Sequence, residues 1–594
     1  MPLNTKTDAR LQSALRQWGA HDHRLLQVLR AVQTPAGYLS PEVLAAVADS
    51  LSVPLAQVRG VASFYSFLST EPVGEFRVRF SDSITDRMDG SAALLDKLCR
   101  LLWAEPGHVA GDGLVSVATT SCTGLCDQGP AMLVNGRAIG RLDHARIERI
   151  SELILARIPV DRWPADLFEI VDIVRRRDLL LKCELEPGDA LAQARRLSPA
   201  ELIGVIARAG LRGRGGAGFP SASKWAACAA TSGPERYIVC NADEGEPGTF
   251  KDRLLLSRHA DLIIEGMTLA GYAVGASHGL LYLRAEYLFL RDGLEQTLTR
   301  RRQAGLLGAT AAIPFDVELH VGAGSYVCGE ETALLESLEG RRGIPRNRPP
   351  YPVTHGYRDR PTVVDNVETF CAATLVLLGG AEAFRLRGTP QSQGTKLLSV
   401  AGDSPARGIY EFPFGVTVRQ VLQAAGAEDA IAVQVGGPSG TCISVDEFDR
   451  QISFEDLSTG GAFTIFGPAR DLFEVARSYA HFFAHESCGF CTPCRVGTSL
   501  LARVVDKIHA GYGTRHELAE LEQLIAVLGK GSHCGLGHSA GNPIRDTLLR
   551  FMPSYERRLA SADFAPAFNL DAALAPARRM TGRDDAAAHL GEGS

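Results

Sequence analysis

The sequence predicts a multidomain α/β protein. Its 594 residues are enough for about four domains. Strand-like and helix-like apolar patterns alternate through the middle of the chain, and the last part is helical around a group of closely spaced cysteines. We place the segments at 1–150, 151–195, 196–394, 395–460, 461–560 and 561–594.

Composition and charge exclude several classes of function. The net charge is −6 and the isoelectric point is 6.2, so the chain has no basic footprint for nucleic acid. The most apolar region, 262–283, is interrupted by Glu265 and His278, which predicts a buried helix and strand rather than a membrane span. Thirteen cysteines without a secretion signal indicate a reducing, cytoplasmic compartment in which clustered cysteines bind metal.

Residues 1–150 predict a helical segment followed by a small module of strands. We expect strands near 75–80 and 114–118, and an Asn-Gly turn closes a hairpin over 131–140. These elements predict a separate N-terminal domain.

Cysteines follow only the second of these strands. Cys122 and Cys126 lie there, whereas the segment after the first strand offers Ser81 and Asp86 but no thiol. The module resembles the thioredoxin-like ferredoxin subunit of respiratory complex I, which binds a 2Fe–2S cluster with one cysteine pair after each strand. Because two thiolates cannot fill a four-ligand site, we predict a thioredoxin-like domain that has lost its cluster and serves docking or structure. A cluster completed by Ser81 and Asp86 is the alternative.

Two further segments are predicted to connect or space the domains on either side of them. Residues 151–195, with the charged run 172–178, predict a helical connector. Residues 395–460 predict a β-grasp-like module whose simplest role is to space its neighbours. Its expected elements are strands at 396–401, 408–412 and 432–435 and a helix at 418–425.

The central segment, 196–394, contains a glycine-rich loop. Gly213, Gly215 and Gly218 form the pattern G-x-G-x-x-G, and Arg214 and Lys224 add positive charge. Glycines let backbone N–H groups approach an anion closely. The loop follows a helical pattern rather than a strand, so the usual Rossmann interpretation fails on context.

An acidic loop, 241–253, follows a short apolar strand at 237–240. It supplies amides and carboxylates that can bind ring edges and ribose hydroxyls. Together the glycine-rich and acidic loops predict a nucleotide-like cofactor in a non-Rossmann α/β domain. Two ordinary surface loops are the alternative.

The helical C-terminal segment contains the cysteine group. Cys488, Cys491 and Cys494 repeat at two-residue gaps, and Cys534 follows in a distant loop. This spacing is typical of a 4Fe–4S cluster. Structural zinc usually takes two separate pairs, and unligated neighbouring thiols would invite oxidation; both remain as alternatives.

Four motifs together carry a wider resemblance. They are the glycine-rich loop, Asn-Ala-Asp-Glu-Gly-Glu-Pro-Gly at 241–248, Gly-Ala-Gly-Ser-Tyr-Val-Cys-Gly-Glu-Glu at 322–331 and Glu-Ser-Cys-Gly-Phe-Cys-Thr-Pro-Cys-Arg at 486–495. These regions resemble the NADH-binding flavoprotein subunit of respiratory complex I. With the N-terminal module included, nearly the whole chain is similar to the large diaphorase subunits of soluble NAD-reducing nickel–iron hydrogenases.

The resemblance implies which residues hold each cofactor. FMN would be held by Gly213, Arg214, Gly215, Gly216, Lys224, Asn241, Asp243, Glu244, Tyr326, Gly329, Glu330, Glu331, Asp365 and Asn366. NAD(H) would be held by Phe219, Glu246, Arg348 and Tyr351. The 4Fe–4S cluster would be held by Cys488, Cys491, Cys494 and Cys534. Asp365 replaces an asparagine of the family, and a carboxylate near a phosphate repels it unless the carboxylate is protonated or turned away.

The resemblance also implies the reaction. FMN can exchange a hydride with NAD(H) and single electrons with an iron–sulfur cluster. Glu331, near the flavin ring, is the candidate catalytic residue through its electrostatic effect. The implied partners are a smaller iron–sulfur diaphorase subunit and the nickel–iron hydrogenase subunits. The alternatives are a diaphorase subunit of an NAD-dependent formate dehydrogenase or of an iron-only NAD(P)-reducing hydrogenase, and a non-catalytic structural subunit.

Overall fold

The computed structural model describes residues 5–560 and 570–584. Within these residues the strands form three sheets of four, six and four strands. No helix in these two ranges is long and apolar enough to cross a membrane.

Four helices precede the first strand and pack on the central domain rather than on the N-terminal sheet. Their apolar residues, such as Leu29 and Val61, share one buried core with Val239 and Tyr282 of the central sheet. The N-terminal helices therefore share a core with the central domain, whereas the strands that follow them build a separate core, a division that the sequence did not reveal. The helices are α1 Thr5–Trp18, α2 Leu25–Ala36, α3 Pro41–Leu51 and α4 Leu55–Phe64.

The N-terminal sheet has the order β2–β1–β3–β4, and its elements are β1 Phe76–Ser81, α5 Ile84–Met88, α6 Ser91–Leu101, β2 Val115–Thr120, β3 Met132–Val134, β4 Arg137–Ile139 and α7 His144–Leu155. Strands β1 and β2 are parallel, and β3 is antiparallel to both β1 and β4. Asn135 and Gly136, with φ of 50° and 83°, make the hairpin turn that their Asn-Gly sequence predicts.

The predicted helical connector is wrong over the charged run 172–178. Its centre is a strand, β5 Val174–Arg176, which pairs in parallel with Gly408–Pro413 at the edge of the second sheet. Both Arg175 and Arg176 donate to backbone carbonyls across this pairing, each from Nε at 3.0 Å. A charged run suits an edge strand, because its side chains can still reach solvent.

The central domain has a four-stranded sheet in the order β8–β7–β6–β9, parallel throughout. The N-terminal helices cover one face, and α12 and α16 pack against the other, so the strands are buried on both sides. The elements are α8 Asp189–Ala194, α9 Pro199–Arg208, α10 Ser221–Ala230, β6 Tyr237–Ala242, α11 Lys251–Arg258, α12 Ala260–Val274, β7 His278–Leu283, α13 Arg291–Gln303, β8 Asp316–Val321, α14 Glu331–Leu338, α15 Pro352–His355, β9 Thr362–Asn366, α16 Val367–Gly379 and α17 Ala381–Arg385.

The β-grasp-like module has the strand order β13–β12–β14–β10–β11–β5. Its own elements are β10 Thr395–Gly402, β11 Gly408–Pro413, α18 Val418–Ala425, β12 Ala432–Val435, β13 Thr441–Ser444 and β14 Ala462–Phe466. Strand β14 lies between β10 and β12. The boundary expected at 460 therefore falls too early, because it separates an inner strand from its sheet.

The C-terminal region is helical as predicted and has its own core. Its helices are α19 Leu472–Glu486, α20 Thr492–His509, α21 Arg515–Gly531, α22 Gly535–Ser539, α23 Asn542–Arg550 and α24 Met552–Glu556. Of the predicted tail, a helix α25 Leu570–Thr581 is described, and residues 561–569 and 585–594 lie outside the described ranges.

Candidate active site

A cleft of about 570 Å³ opens between the central sheet and the loops of the β-grasp-like module. Asn241 and Asn366, at the carboxyl ends of β6 and β9, lie in its wall. Ligands commonly bind at the carboxyl ends of the strands in open α/β sheets. The opposite wall includes Ser458 and Gly460 of the β-grasp-like module and reaches Cys534 of the C-terminal region. Three modules therefore meet at one site.

The glycine-rich loop supplies backbone to this cleft. Gly215 and Gly216 line it, and Gly216 has a φ of +123° that side-chain-bearing residues rarely adopt. The Gly213 amide closes the loop on the carbonyl of Phe219 at 2.9 Å. Ser458 Oγ donates to the Gly216 carbonyl at 2.6 Å, which ties the loop to the facing wall. The loop is an open backbone surface of the kind that binds anionic groups.

The side chain of Arg214 does not supply the positive charge that the sequence assigned to it. It is buried away from the cleft and donates to the carbonyls of Arg212 and Gln393 at 2.8 and 2.7 Å. Its guanidinium lies 4.8 Å from the ring centre of Phe414. Burial lowers the pKa of Arg214 to about 10. The loop reaches the cleft through its neighbours Gly215 and Gly216 instead.

Lys251 provides a positive charge that the sequence reasoning missed. It lies in the cleft wall, with Nζ 2.6 Å from Asp252 Oδ1, 3.2 Å from Glu368 Oε2 and 3.2 Å from Asn366 Oδ1. Burial alone would lower its pKa, but the two carboxylates raise it above the ordinary value. The signal was present in the sequence, since Lys251 belongs to the acidic loop at 241–253.

The Asp365-Asn366 pair points in two directions. Asn366 lines the cleft and donates from Nδ2 to Asp252 at 2.7 Å. Asp365 turns the other way, accepts from Trp225 Nε1 at 2.9 Å and lies 3.6 Å from Lys224 Nζ. The carboxylate that would repel a phosphate is thus turned away from the cleft.

The acidic loop holds the wall in place as well as lining it. Asn241 donates to the Gly329 carbonyl at 2.9 Å across the cleft. Glu244, at a φ of +34°, accepts from the backbone N–H groups of Asp252 and Arg253 at 2.6 and 3.1 Å. It therefore caps the N-terminus of α11, the helix that begins with Lys251. Burial raises the pKa of Glu244 to about 7.

Glu246 links the central domain to the β-grasp-like module. Its carboxylate accepts from Tyr326 Oη at 2.5 Å and from the Ser439 N–H at 3.0 Å. Tyr326 and Ser439 are themselves hydrogen bonded at 2.7 Å. Burial raises the pKa of Glu246 to about 7. The spacing role predicted for the β-grasp-like module is therefore wrong, because its loops form part of the cleft wall.

Other predicted residues lie outside the cleft wall. Glu331, the candidate catalytic residue, does not line the cleft and accepts a hydrogen bond from Lys224 Nζ at 3.3 Å. Its neighbour Glu330 does line the cleft, and its side chain caps α14. Phe219 and Tyr351 are each 55% exposed. Arg348 lies 3.4 Å from Glu330. Their proposed roles in binding NAD(H) remain predictions.

The cleft fits FMN. Its volume is in the usual range for cofactor sites, and it combines the glycine backbone, one lysine and the amides of Asn241 and Asn366. These groups suit a phosphate and the polar edge of a planar ring. FMN supplies the chemistry of switching between hydride and single-electron transfer.

The four predicted cluster ligands surround one enclosed space next to this cleft. Cys494 and Cys534 are buried and Cys488 and Cys491 half-buried, among apolar neighbours. Cys534 lines both this space and the cleft. Among residues 5–560 and 570–584, no group of three or more His, Cys, Asp or Glu side chains is arranged to hold a single metal ion. The all-thiol set fits an iron–sulfur cluster.

The N-terminal cysteines lie in a different environment. Cys122 and Cys126 are fully buried, with Sγ atoms 3.4 Å apart. Asp86 accepts from Ser81 and Ser83 hydroxyls, both at 2.6 Å, and from the Ala131 N–H at 2.8 Å. Ser81 and Asp86 are therefore hydrogen bonded to each other. That this domain has lost its cluster remains a prediction.

Comparison with known families identifies three regions of the chain. Residues 206–374 match the Nuo51 FMN-binding domain, residues 11–154 the thioredoxin-like [2Fe-2S] ferredoxin, and residues 474–558 the NADH-ubiquinone oxidoreductase-F iron–sulfur binding region. Fold and site thus define a flavin- and iron–sulfur-dependent oxidoreductase subunit that exchanges electrons with NAD(H).

The relatives narrow this class. The chain is 40% identical to the NAD-reducing hydrogenase HoxS subunit alpha of Cupriavidus necator, over 96% of this chain and 97% of that protein. The chain belongs to the family of this hydrogenase subunit, which confirms the resemblance. It is also 39% identical to the NADP-reducing hydrogenase subunit HndC of Solidesulfovibrio fructosivorans, over 62% of this chain and 78% of that protein. A crystal structure of an H2-reduced NAD+-reducing [NiFe]-hydrogenase contains a chain that is 44% identical, with a TM-score of 0.88, over 96% of this chain and 98% of that one.

Proposed function

We propose that this chain couples hydrogen oxidation in a partner subunit to the reduction of NAD+. A 4Fe–4S cluster held by Cys488, Cys491, Cys494 and Cys534 would supply single-electron transfer, and FMN held in the cleft would supply hydride transfer to NAD+. The net reaction of the complex is H2 + NAD+ → NADH + H+. The chain itself performs the step at the nucleotide.

The observation that carries this proposal is the position of Cys534. It is the one predicted cluster ligand whose side chain lies in the wall of the flavin cleft and also in that of the cysteine space. A cluster and a flavin bound in these two spaces are adjacent, which short-range electron transfer requires.

Different residues of the cleft bind different parts of FMN and NAD(H). Gly215, Gly216 and Lys251 bind the phosphate of FMN, and Asn241 and Asn366 orient the cofactor. Glu246, held by Tyr326 and Ser439, binds the ribose of NAD(H) at the outer end. The exposed rings of Phe219 and Tyr351 hold the adenine.

The partners are a smaller iron–sulfur diaphorase subunit and nickel–iron hydrogenase subunits, in the cytoplasm. Four cysteines of this chain are committed to the cluster. Apart from the buried pair Cys122 and Cys126, the other described cysteines are spaced far apart in the sequence. We assign hydrogen oxidation to the nickel–iron subunits because the relative that matches nearly the whole chain is described as one subunit of an NAD-reducing hydrogenase.

Native mass spectrometry of the purified complex tests the proposal, together with hydrogen-dependent reduction of NAD+ by the same sample. We expect nickel–iron subunits, one FMN in this chain and NADH formation under hydrogen. Reduction of a viologen by NADH serves as the control for an intact flavin and cluster. Formate dehydrogenase subunits in place of nickel–iron subunits would contradict the hydrogen reaction, and an FMN-loaded chain that oxidises no NADH would contradict the hydride step.

A further inference from the structure

A small polar chamber lies behind the flavin cleft, between the thioredoxin-like domain and the central domain. Its volume is about 30 Å³, which is room for one or two water molecules. It has two lining residues in common with the cleft, Gly245 and Tyr326. The other end of the chamber reaches the exposed side chain of His485.

Asp243 is the buried carboxyl group of this chamber. It is 5% exposed, and its Oδ2 atom has no hydrogen-bond partner among the described residues. A Cβ atom built on Gly245 would lie 3.0 Å from this oxygen, and one built on Gly329 would lie 3.4 Å from it. Gly245 and Gly329 both line the cleft. Because both residues are glycines, neither places a side chain between the carboxyl group of Asp243 and the flavin site.

We propose that Asp243 is the proton donor and acceptor for hydride chemistry in the cleft, and that the chamber connects it to solvent. This inference rests on the proposed function. Formation of NADH follows NAD+ + 2e− + H+ → NADH, in which the electrons come from the cluster and the proton comes from the protein. With FMN bound, Asp243 would give the proton from its carboxyl oxygen to the cofactor as the two electrons arrive there, and proton and electrons would leave together to NAD+ as a hydride. Asp243 would then regain a proton from solvent through water in the chamber. NADH oxidation runs the same transfer backwards.

The surroundings of Asp243 suit a carboxyl group that holds a proton. Burial raises its pKa well above the ordinary range, although Arg284 acts in the opposite direction. Arg284 is occupied elsewhere, because it donates to the carbonyls of Glu244 and Cys122 at 2.7 and 2.6 Å and pairs with Glu286 at 3.0 Å. The titratable and charged groups that face Asp243 or its chamber are Arg79, Tyr282, Arg284, Glu286, Tyr326, Cys328, His485 and Glu486.

The Asp243→Asn variant of the FMN-loaded complex separates this role from a structural one. Transfer of a hydride from NADH to oxidised flavin brings its own hydrogen, so we expect its single-turnover rate per bound FMN, measured by stopped flow, to fall far less than the rate of the reverse reaction. Reduction of NAD+ by electrons from a reduced viologen needs a proton from the protein, and we expect it to slow by about 100-fold. Asp82→Asn, which removes an exposed carboxylate, serves as the control for both rates.

A second measurement does not use the loaded enzyme. Infrared spectra of the FMN-free wild-type protein should contain the carbonyl band of a protonated carboxylic acid that Asp243→Asn removes. Equal slowing of both reactions, with FMN lost, would assign Asp243 to cofactor binding instead. Unchanged rates in both directions would also overturn the proposal, whereas wild-type protein that transfers no hydride from NADH would overturn the proposed function itself.

Discussion

Arg253 and Asp127 join the thioredoxin-like domain to the flavin domain through two hydrogen bonds of 2.9 Å in a fully buried ion pair. Arg253 also donates to the Gly124 carbonyl at 2.8 Å, in the loop between Cys122 and Cys126. The same arginine lies in the first turn of α11, two residues after Lys251 of the cleft. The loop that carries the N-terminal cysteine pair is thereby attached to the helix that carries a cleft residue.

We expect Asp127→Ala to destabilise the chain strongly, because it leaves the Arg253 charge buried with no carboxylate nearer than Asp172, whose Oδ1 lies 4.0 Å from Arg253 Nε. Removing one member of a buried ion pair costs about 3–5 kcal/mol. The variant should melt at a lower temperature and retain less FMN on gel filtration. Asp166→Ala is the matched control: Asp166 pairs with Arg149 at 2.7 Å, but both side chains are exposed, and exposed ion pairs contribute little to stability. Equal melting temperatures for the two variants would contradict the role of Asp127.

Asp86 makes stability depend on pH. Burial raises its pKa to about 7, despite hydrogen bonds from Ser81 and Ser83 that lower it. The folded protein thus binds this proton more tightly than the unfolded chain does. The stabilisation is complete below about pH 4 and is lost as the pH rises through about 7, by up to about 4 kcal/mol.

The Asp86→Asn variant should remove this part of the pH dependence. An amide keeps the shape of the side chain and cannot be ionised, so its melting temperature should fall less than that of the wild type between pH 5 and pH 8. Thermal unfolding at a series of pH values measures the difference. Parallel curves for the two proteins would show that Asp86 does not titrate in this range.

The sequence predicted those parts of the site that depend on local spacing. The three cysteines at two-residue gaps line one enclosed space, and parts of the glycine-rich loop and of the acidic run line the neighbouring cleft, because a short motif fixes its own backbone. It could not predict which charged side chains turn inward. Arg214 and Lys251 each lie in one of the two loops. The Arg214 guanidinium packs against Phe414 and turns away from the cleft, whereas Lys251, paired with Asp252, lies in the cleft wall.

Long-range pairing explains the remaining errors in the fold. Strand β5 forms because the edge of a distant sheet offers unpaired backbone groups to Val174–Arg176, and its own charged sequence gives no such signal. The spacing role predicted for the β-grasp-like module is wrong for the same reason. Its contribution depends on the approach of Ser439 to Glu246, residues nearly two hundred positions apart.

A substitution at Gly437 tests the contribution of the β-grasp-like module to the cleft. Its φ is +62°, and a Cβ atom there would lie 2.5 Å from Glu246 Cγ. We expect Gly437→Ala to displace the Glu246 carboxylate and to raise the KM for NADH several-fold, with the FMN content unchanged. Gly113→Ala is the matched control, because Gly113 has a φ of +71° but no atom near the added methyl group. A normal KM for Gly437→Ala would remove Glu246 from the nucleotide site.

A substitution at Cys534 distinguishes loss of the cluster from loss of the flavin. Its side chain borders both spaces, whereas Cys488, Cys491 and Cys494 do not line the flavin cleft. We expect Cys534→Ala to abolish the EPR signal of the reduced cluster and to retain FMN, since the glycine-rich loop and Lys251 stay in place. NADH should still bleach the flavin, but electrons should no longer pass to a viologen. Cys183→Ala, at a half-buried cysteine in an apolar core, should leave both reactions intact. A full cluster signal in Cys534→Ala would mean that another side chain is the fourth ligand, and the adjacency of cluster and flavin would then need a different structural basis.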